Sequence, residues 1–134
     1  MKKSINAWSF PEEYTFEECL VAAKKAGFDA IEFNLDGANK GHSFTVNTTD
    51  EDILAVKKLC ESYGVLPISI SSSLHHAIWS KTGADEVAHA MNILRAQLNV
   101  AKLMGSDTIL VVPGGMPDGI TLKQARANSL TPCS

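Results

Sequence analysis

No stretch of this chain approaches the roughly 20 consecutive apolar residues that a membrane-spanning helix needs. The opening Met1-Lys2-Lys3-Ser4 runs into a short strand-like stretch and a charged loop, so the apolar core of a signal peptide is missing too. A strong charge of either sign is also lacking. The formal net charge is -3, and lysines and arginines are scattered, which gives no electrostatic footprint for nucleic acid. Cysteine is scarce: Cys19, Cys60 and Cys133 form an odd set without CxxC or metal-type spacing. That usage points to free thiols in a reducing compartment, and the cytoplasm is the expected address. No P-loop, GxGxxG or nucleophile-elbow pattern occurs. What remains is an ordinary soluble composition, 45% apolar and 20% charged over 134 residues, enough for a single domain with a hydrophobic core.

The organisation emerges from glycines. Gly27, Gly64 and Gly105 each suit the left-handed position just past a helix, and each precedes a β-rich run: Ala30–Phe33, Pro67–Ile70 and Thr108–Val112. Helix starts match them. Thr15 with Glu18 and Thr48 with Glu51 have capping-box spacing, and Thr82 with Asp85 is a weaker version. Between these signals the apolar spacing is helical. The three stripes are Phe16, Leu20, Ala23 and Gly27; Ile53, Val56, Cys60 and Tyr63; and Val87, Met91, Leu94, Leu98 and Ala101. With Ser4–Trp8 as an opening strand, the chain alternates strand and helix through four strands, and Thr121–Ala127 begins a fourth helix. Such alternation implies an α/β fold with parallel strands and right-handed crossovers.

Strand parity bears on barrel against open sheet. Ile5 and Ala7 oppose Asn6 and Trp8; Ile31, Phe33 and Leu35 oppose Ala30, Glu32 and Asn34; Ile68 and Ile70 oppose Ser69 and Ser71. A doubly wound sheet carries helices on both faces and wants both apolar. Here one face collects polar residues, as the inside of a barrel near a ligand site would. A flavodoxin-like sheet is the alternative, and it leaves Glu32 costly to bury. The strand-to-helix loops at 9–14, 36–47 and 72–81 are the longer and more polar set, at the carboxyl ends where parallel folds bind ligands.

The pieces Trp8-Ser9-Phe10, Ala26-Gly27-Phe28-Asp29-Ala30-Ile31-Glu32, Glu61-Ser62-Tyr63-Gly64-Val65 and the run from Gly105 to Gly115 resemble the xylose-isomerase-like barrel superfamily. That group includes sugar-phosphate isomerases/epimerases, ketose 3-epimerases, hydroxypyruvate isomerase and endonuclease IV. The resemblance implies a partial (β/α)₈ TIM barrel of about four βα units, residues 1–134 forming one truncated N-terminal domain, because a full barrel takes about 250 residues. It implies a sugar or sugar-phosphate isomerase/epimerase that moves a proton beside a carbonyl through an enediolate. A divalent metal (Mn, Mg, Co or Zn) assists in complete members, whose main ligands and acid/base glutamates come from later strands. This chain alone is therefore expected to bind no metal, and no catalytic residue is assigned. Endonuclease IV carries a histidine ligand where this chain has Pro113-Gly114-Gly115, which argues against DNA repair.

Candidate substrate contacts follow. Glu32, with Asn34, faces the site from the second strand; otherwise Glu32 pairs with an internal lysine or arginine. His75 and His76 follow the third strand, where one could contact substrate or both be ordinary loop histidines. Trp8 and Trp79 lie near strand ends and either wall a sugar ring or pack the rim. Gly114 and Gly115 suit close backbone approach or a plain turn. His42, in a Gly/Asn-rich insertion, reads as solvated, and His89 as a surface residue. The partner is a small sugar or sugar phosphate, with no nucleic acid and no membrane. The alternative function is an inactive half-barrel that binds carbohydrate or self-associates, a homodimer covering the open strand edges.

Overall fold

The computed structural model describes residues 1–75, 84–113 and 118–130. Strand β1 (Ser4–Asn6) leads through a 3-10 turn (Ala7–Ser9) to helix α1 (Phe16–Lys25) and strand β2 (Ala30–Leu35). A two-residue strand β3 (Ser43–Phe44) precedes helix α2 (Asp50–Tyr63) and strand β4 (Leu66–Ser72). Helix α3 (Ala84–Met104), strand β5 (Thr108–Val111) and helix α4 (Leu122–Leu130) complete it.

The helices begin where their caps dictate. Thr15 and Glu18 form the full reciprocal box at α1. At α2 the cap is Thr49, not Thr48: Asp52 N–H donates to Thr49 Oγ1, while Thr48 Oγ1 accepts from Thr45 N–H in the preceding turn. At α4, Thr121 and Gln124 exchange the same pair of bonds. Gly64 ends α2 at φ 66°, ψ 34°, a conformation that costs a residue with a Cβ.

All strand pairings are parallel and the main order is β1-β2-β4-β5, with β3 attached to β2. Chain order equals spatial order along the four main strands, so there is no switch point of the flavodoxin-like kind. The helices pack consecutively, α1 on α2 and α2 on α3, along one face. That is the winding of a barrel segment. Phe16, Phe33 and Phe44 meet edge-on or tilted with centroids 5.0–6.0 Å apart, and Leu20, Ile31, Leu35, Ile53 and Ile70 are buried around them.

Two stripes differ from expectation. In α3 the buried side chains are Ile93, Gln97, Val100, Ala101 and Met104, while Leu98 is 49% exposed. The stripe is rotated because Gln97, a polar residue, belongs to it. In β4, Ile31 pairs with Pro67 and Glu32 with Ser69, so Ile68 is the extra residue of a bulge and lies 49% exposed. The bulge keeps Ser69 and Ser71 beside Glu32 and Asn34.

Cys19 and Cys60 are free, buried thiols. Burial, with lesser help from Glu18 and Glu61 respectively, pushes each pKa up to about 12, so neither is poised as a nucleophile. No described helix is long and apolar enough to cross a membrane.

Candidate functional site

The parallel register stacks polar side chains in two rows. Asn6, Glu32, Ser69 and Thr108 are consecutive partners across β1, β2, β4 and β5, and Asn34 and Ser71 form the row above. Because successive strand residues alternate faces, these rows share the face opposite Ile31, Phe33 and Ile70.

Their hydrogen bonds are continuous. Asn6 Nδ2 donates to Glu32 Oε1 at 2.6 Å and to Asn34 Oδ1 at 3.1 Å, while Asn34 Nδ2 returns a bond to Asn6 Oδ1 at 3.2 Å. Ser69 Oγ donates to Glu32 Oε2 at 2.5 Å. The donors on Glu32 are thus neutral, rather than the lysine or arginine that its sequence position also allowed. The ion pairs Lys40–Glu12 and Lys57–Glu61 lie elsewhere. Glu32 is partly buried, Asn34 fully so, and the Ser71 hydroxyl, sealed beside Asn34, has no partner among the described residues. A carboxylate can accept at about four lone-pair positions, so two occupied ones leave Glu32 capacity for hydroxyl donors of a ligand.

Trp8 corrects a parity argument. β1 ends at Asn6, and Trp8 sits in the following 3-10 turn, 47% exposed, so alternation along the strand does not point it inward. Asn6 Oδ1 caps this turn by accepting Trp8 N–H at 2.7 Å. The indole Nε1 donates to Asp36 Oδ2 at 3.2 Å, which sets Trp8 on the rim where β2 ends.

His75 is 3% exposed and its Nε2 lies 2.7 Å from Gln97 Oε1. Gln97 Nε2 already donates to the carbonyls of Ile70 and Leu110, which fixes the amide orientation and makes His75 Nε2 the donor. This bridge ties the loop after β4 to α3 and to two strands. Gln97 was missed in the sequence because a lone glutamine on a helix reads as solvated; its one signal is its place between Ile93 and Val100 at helical spacing. His42 also departs from expectation. It is 4% exposed, and its Nδ1 bonds the Tyr14 carbonyl at 2.8 Å. Gly41 makes this possible: at φ +81°, an added Cβ would stand 2.6 Å from Tyr14 O. His89 is exposed, as its helical position suggested. His76, Trp79, Gly114 and Gly115 lie outside the described residues.

The described residues contain no group of three or more His, Cys, Asp or Glu able to hold a metal ion. The Glu32 oxygens face an amide and a hydroxyl, and His42 Nδ1 and His75 Nε2 are committed to protein acceptors. The arrangement can bind and orient a polyhydroxy ligand.

A family model described as a xylose isomerase-like TIM barrel matches residues 20–131. No curated protein matches the chain. Among solved structures, the chain is similar to D-allulose 3-epimerase from Methylomonas sp., with 22% identity and a TM-score of 0.70 over 96% of this chain. It is also similar to that enzyme in complex with D-allulose, at 20% identity, a TM-score of 0.67 and again 96% coverage. The chain spans 44% and 43% of the length of those two structures. At such identity the likeness establishes the fold.

Proposed function

Because the chain belongs to the xylose isomerase-like TIM-barrel family, we propose that it carries the N-terminal part of the sugar site of an isomerase or epimerase. The observation that carries this reading is the row Asn6–Glu32–Ser69 with Asn34 above it. Glu32 accepts sugar hydroxyls, Asn34 holds the inner wall, and Trp8 offers an aromatic face at the rim. His75 is anchored by Gln97, and His76, Trp79, Gly114 and Gly115, outside the described residues, are further candidate contacts.

The residues here bind and orient the sugar; proton transfer beside its carbonyl falls to later strands. The divalent metal of the family finds no ligand set among the described residues. Charge narrows the substrate. Glu32 and Asp36 are the ionisable groups of the described polar cluster and its rim, and Lys40 is drawn to Glu12, whose carboxylate raises the ammonium pKa. An acidic mouth favours a neutral ketose over a sugar phosphate.

Saturation-transfer NMR of the 134-residue chain with D-allulose tests this. Transfer that drops at least ten-fold in Glu32→Gln supports the reading, on the scale expected when a hydroxyl loses a charged acceptor. Equal transfer in both proteins removes Glu32 from the site, and stronger binding of a sugar phosphate overturns the neutral-sugar assignment.

A second reading rests on Leu66 and Leu110, 53% and 48% exposed, which alternation places on the same face as the polar rows. Four parallel strands make half of an eight-stranded barrel, and two copies pairing β5 to β1 would close one. Light scattering decides: a dimer supports self-association, a folded monomer refutes it.

A further inference from the structure

Asn6 stands between the two halves of the candidate site, and all of its hydrogen-bonding capacity is committed. Oδ1 accepts from Trp8 N–H and Asn34 Nδ2; Nδ2 donates to Glu32 Oε1 and Asn34 Oδ1. Two of these partners have fixed polarity. A backbone N–H only donates, and an ionised carboxylate only accepts. Together they permit one orientation of the Asn6 amide, and that orientation dictates the orientation of Asn34, which is fully buried.

We propose that Asn6 is a positioning residue coupling the rim to the interior: one amide seats Trp8 through its turn and sets the direction in which Asn34 and Glu32 present their free valences. Resting on the sugar-site reading, this makes the rim and inner contacts assemble together. Sequence parity cannot show it, because Trp8 lies beyond the end of β1 and, among the described residues, is linked to Glu32 through the Asn6 side chain.

The capacities of Asn6 can be separated chemically. Asn6→Ser keeps an oxygen that caps Trp8 N–H, since serine and asparagine cap about equally well, but removes the amide N–H donors without setting a second carboxylate against Glu32. Asn6→Ala removes everything. In a Trp79→Phe background Trp8 is the one remaining tryptophan, so its emission reports the rim, while the Asn34 side-chain NH₂ resonances report the interior. Both are read without ligand, so the outcome is independent of whether any sugar binds.

In Asn6→Ala, acrylamide quenching of Trp8 is expected to rise about two-fold as the uncapped turn opens, and the Asn34 resonances to shift. In Asn6→Ser, the Asn34 resonances shift while Trp8 quenching stays at the parent value, a rescue that a general packing role for position 6 would not give. Should Asn6→Ala fail to fold, Asn6→Thr, a weaker cap that also lacks amide donors, is expected to shift the Asn34 resonances with a smaller rise in quenching. Unmoved Asn34 resonances in Asn6→Ser overturn the proposal, as does unchanged Trp8 quenching in a folded Asn6→Ala.

Discussion

The two faces of the sheet are built from the same strands yet obey different rules. Toward the helices, Ile31, Phe33, Leu35 and Ile70 are buried against Phe16, Leu20, Phe44 and Ile53, and apolar packing predominates. On the other face, Asn6, Glu32, Asn34 and Ser69 are held by directed bonds between neutral amides, a hydroxyl and a carboxylate. The first face holds the chain together; the second is a hydrogen-bonded polar surface. If the comparison is right, substitutions on the helix side cost stability, and those on the inner side cost recognition.

The largest effect is expected at Phe33, which is 0% exposed and touches both Phe16 and Phe44. Phe33→Ala removes a ring from the centre of that cluster and should cost about 3–5 kcal/mol, read from urea unfolding. A loss near 1 kcal/mol would mean that the helix face is loosely packed and the contrast between faces overstated.

Gln97 tests whether the helix side also depends on directed bonds. Gln97→Leu keeps the bulk but removes the amide bonds to the carbonyls of Ile70 and Leu110 and leaves the Nε2–H of His75 without its acceptor. The expected cost is about 1–3 kcal/mol by the same measurement, the penalty for buried groups left without partners. A neutral result would show that water replaces the amide.

The thiols sharpen the point through pH. Cys19 and Cys60 lie on the helix side, where burial holds each neutral with a pKa pushed up to about 12, against an ordinary value of 9.0. In the unfolded chain the thiols ionise near that ordinary value, so between pH 9 and 12 the native state binds more protons than the unfolded one. Their contribution is therefore intact below pH 9 and is lost as pH rises towards 12. The urea midpoint should fall between pH 8.5 and 10.5, and the fall should shrink in a Cys19→Ala/Cys60→Ala variant. An equal fall in both would assign the alkaline loss to other groups.

How far these faces were legible in the sequence follows from the same physics. Period-2 alternation exposed the polar row at Glu32, Asn34, Ser69 and Ser71, and helix caps with glycine stops exposed the order of elements, because both are local signals. Readings that needed a third partner failed. His42 read as solvated because nothing local says that Gly41 lets its loop close on the Tyr14 carbonyl. Gln97 went unnoticed because its acceptors come from two strands and a loop. Trp8 was given an inward direction by extending parity two residues past the end of its strand.

The smallest expected effect discriminates best between the faces. Ser71 is as buried as Phe33, yet its hydroxyl has no bond partner among the described residues. A buried hydroxyl without a partner has paid desolvation and gained nothing, so removing it should cost little or even stabilise. Ser71→Ala is therefore expected to change stability by less than about 0.5 kcal/mol, in contrast to the several kcal/mol at Phe33. Its register partner is Asn34, whose amide is already paired with Asn6, so the deletion leaves no donor newly stranded. A loss above about 1 kcal/mol would mean that Ser71 is satisfied in solution by an enclosed water bridging to Asn34. The inner network would then take in a second β4 side chain beside Ser69.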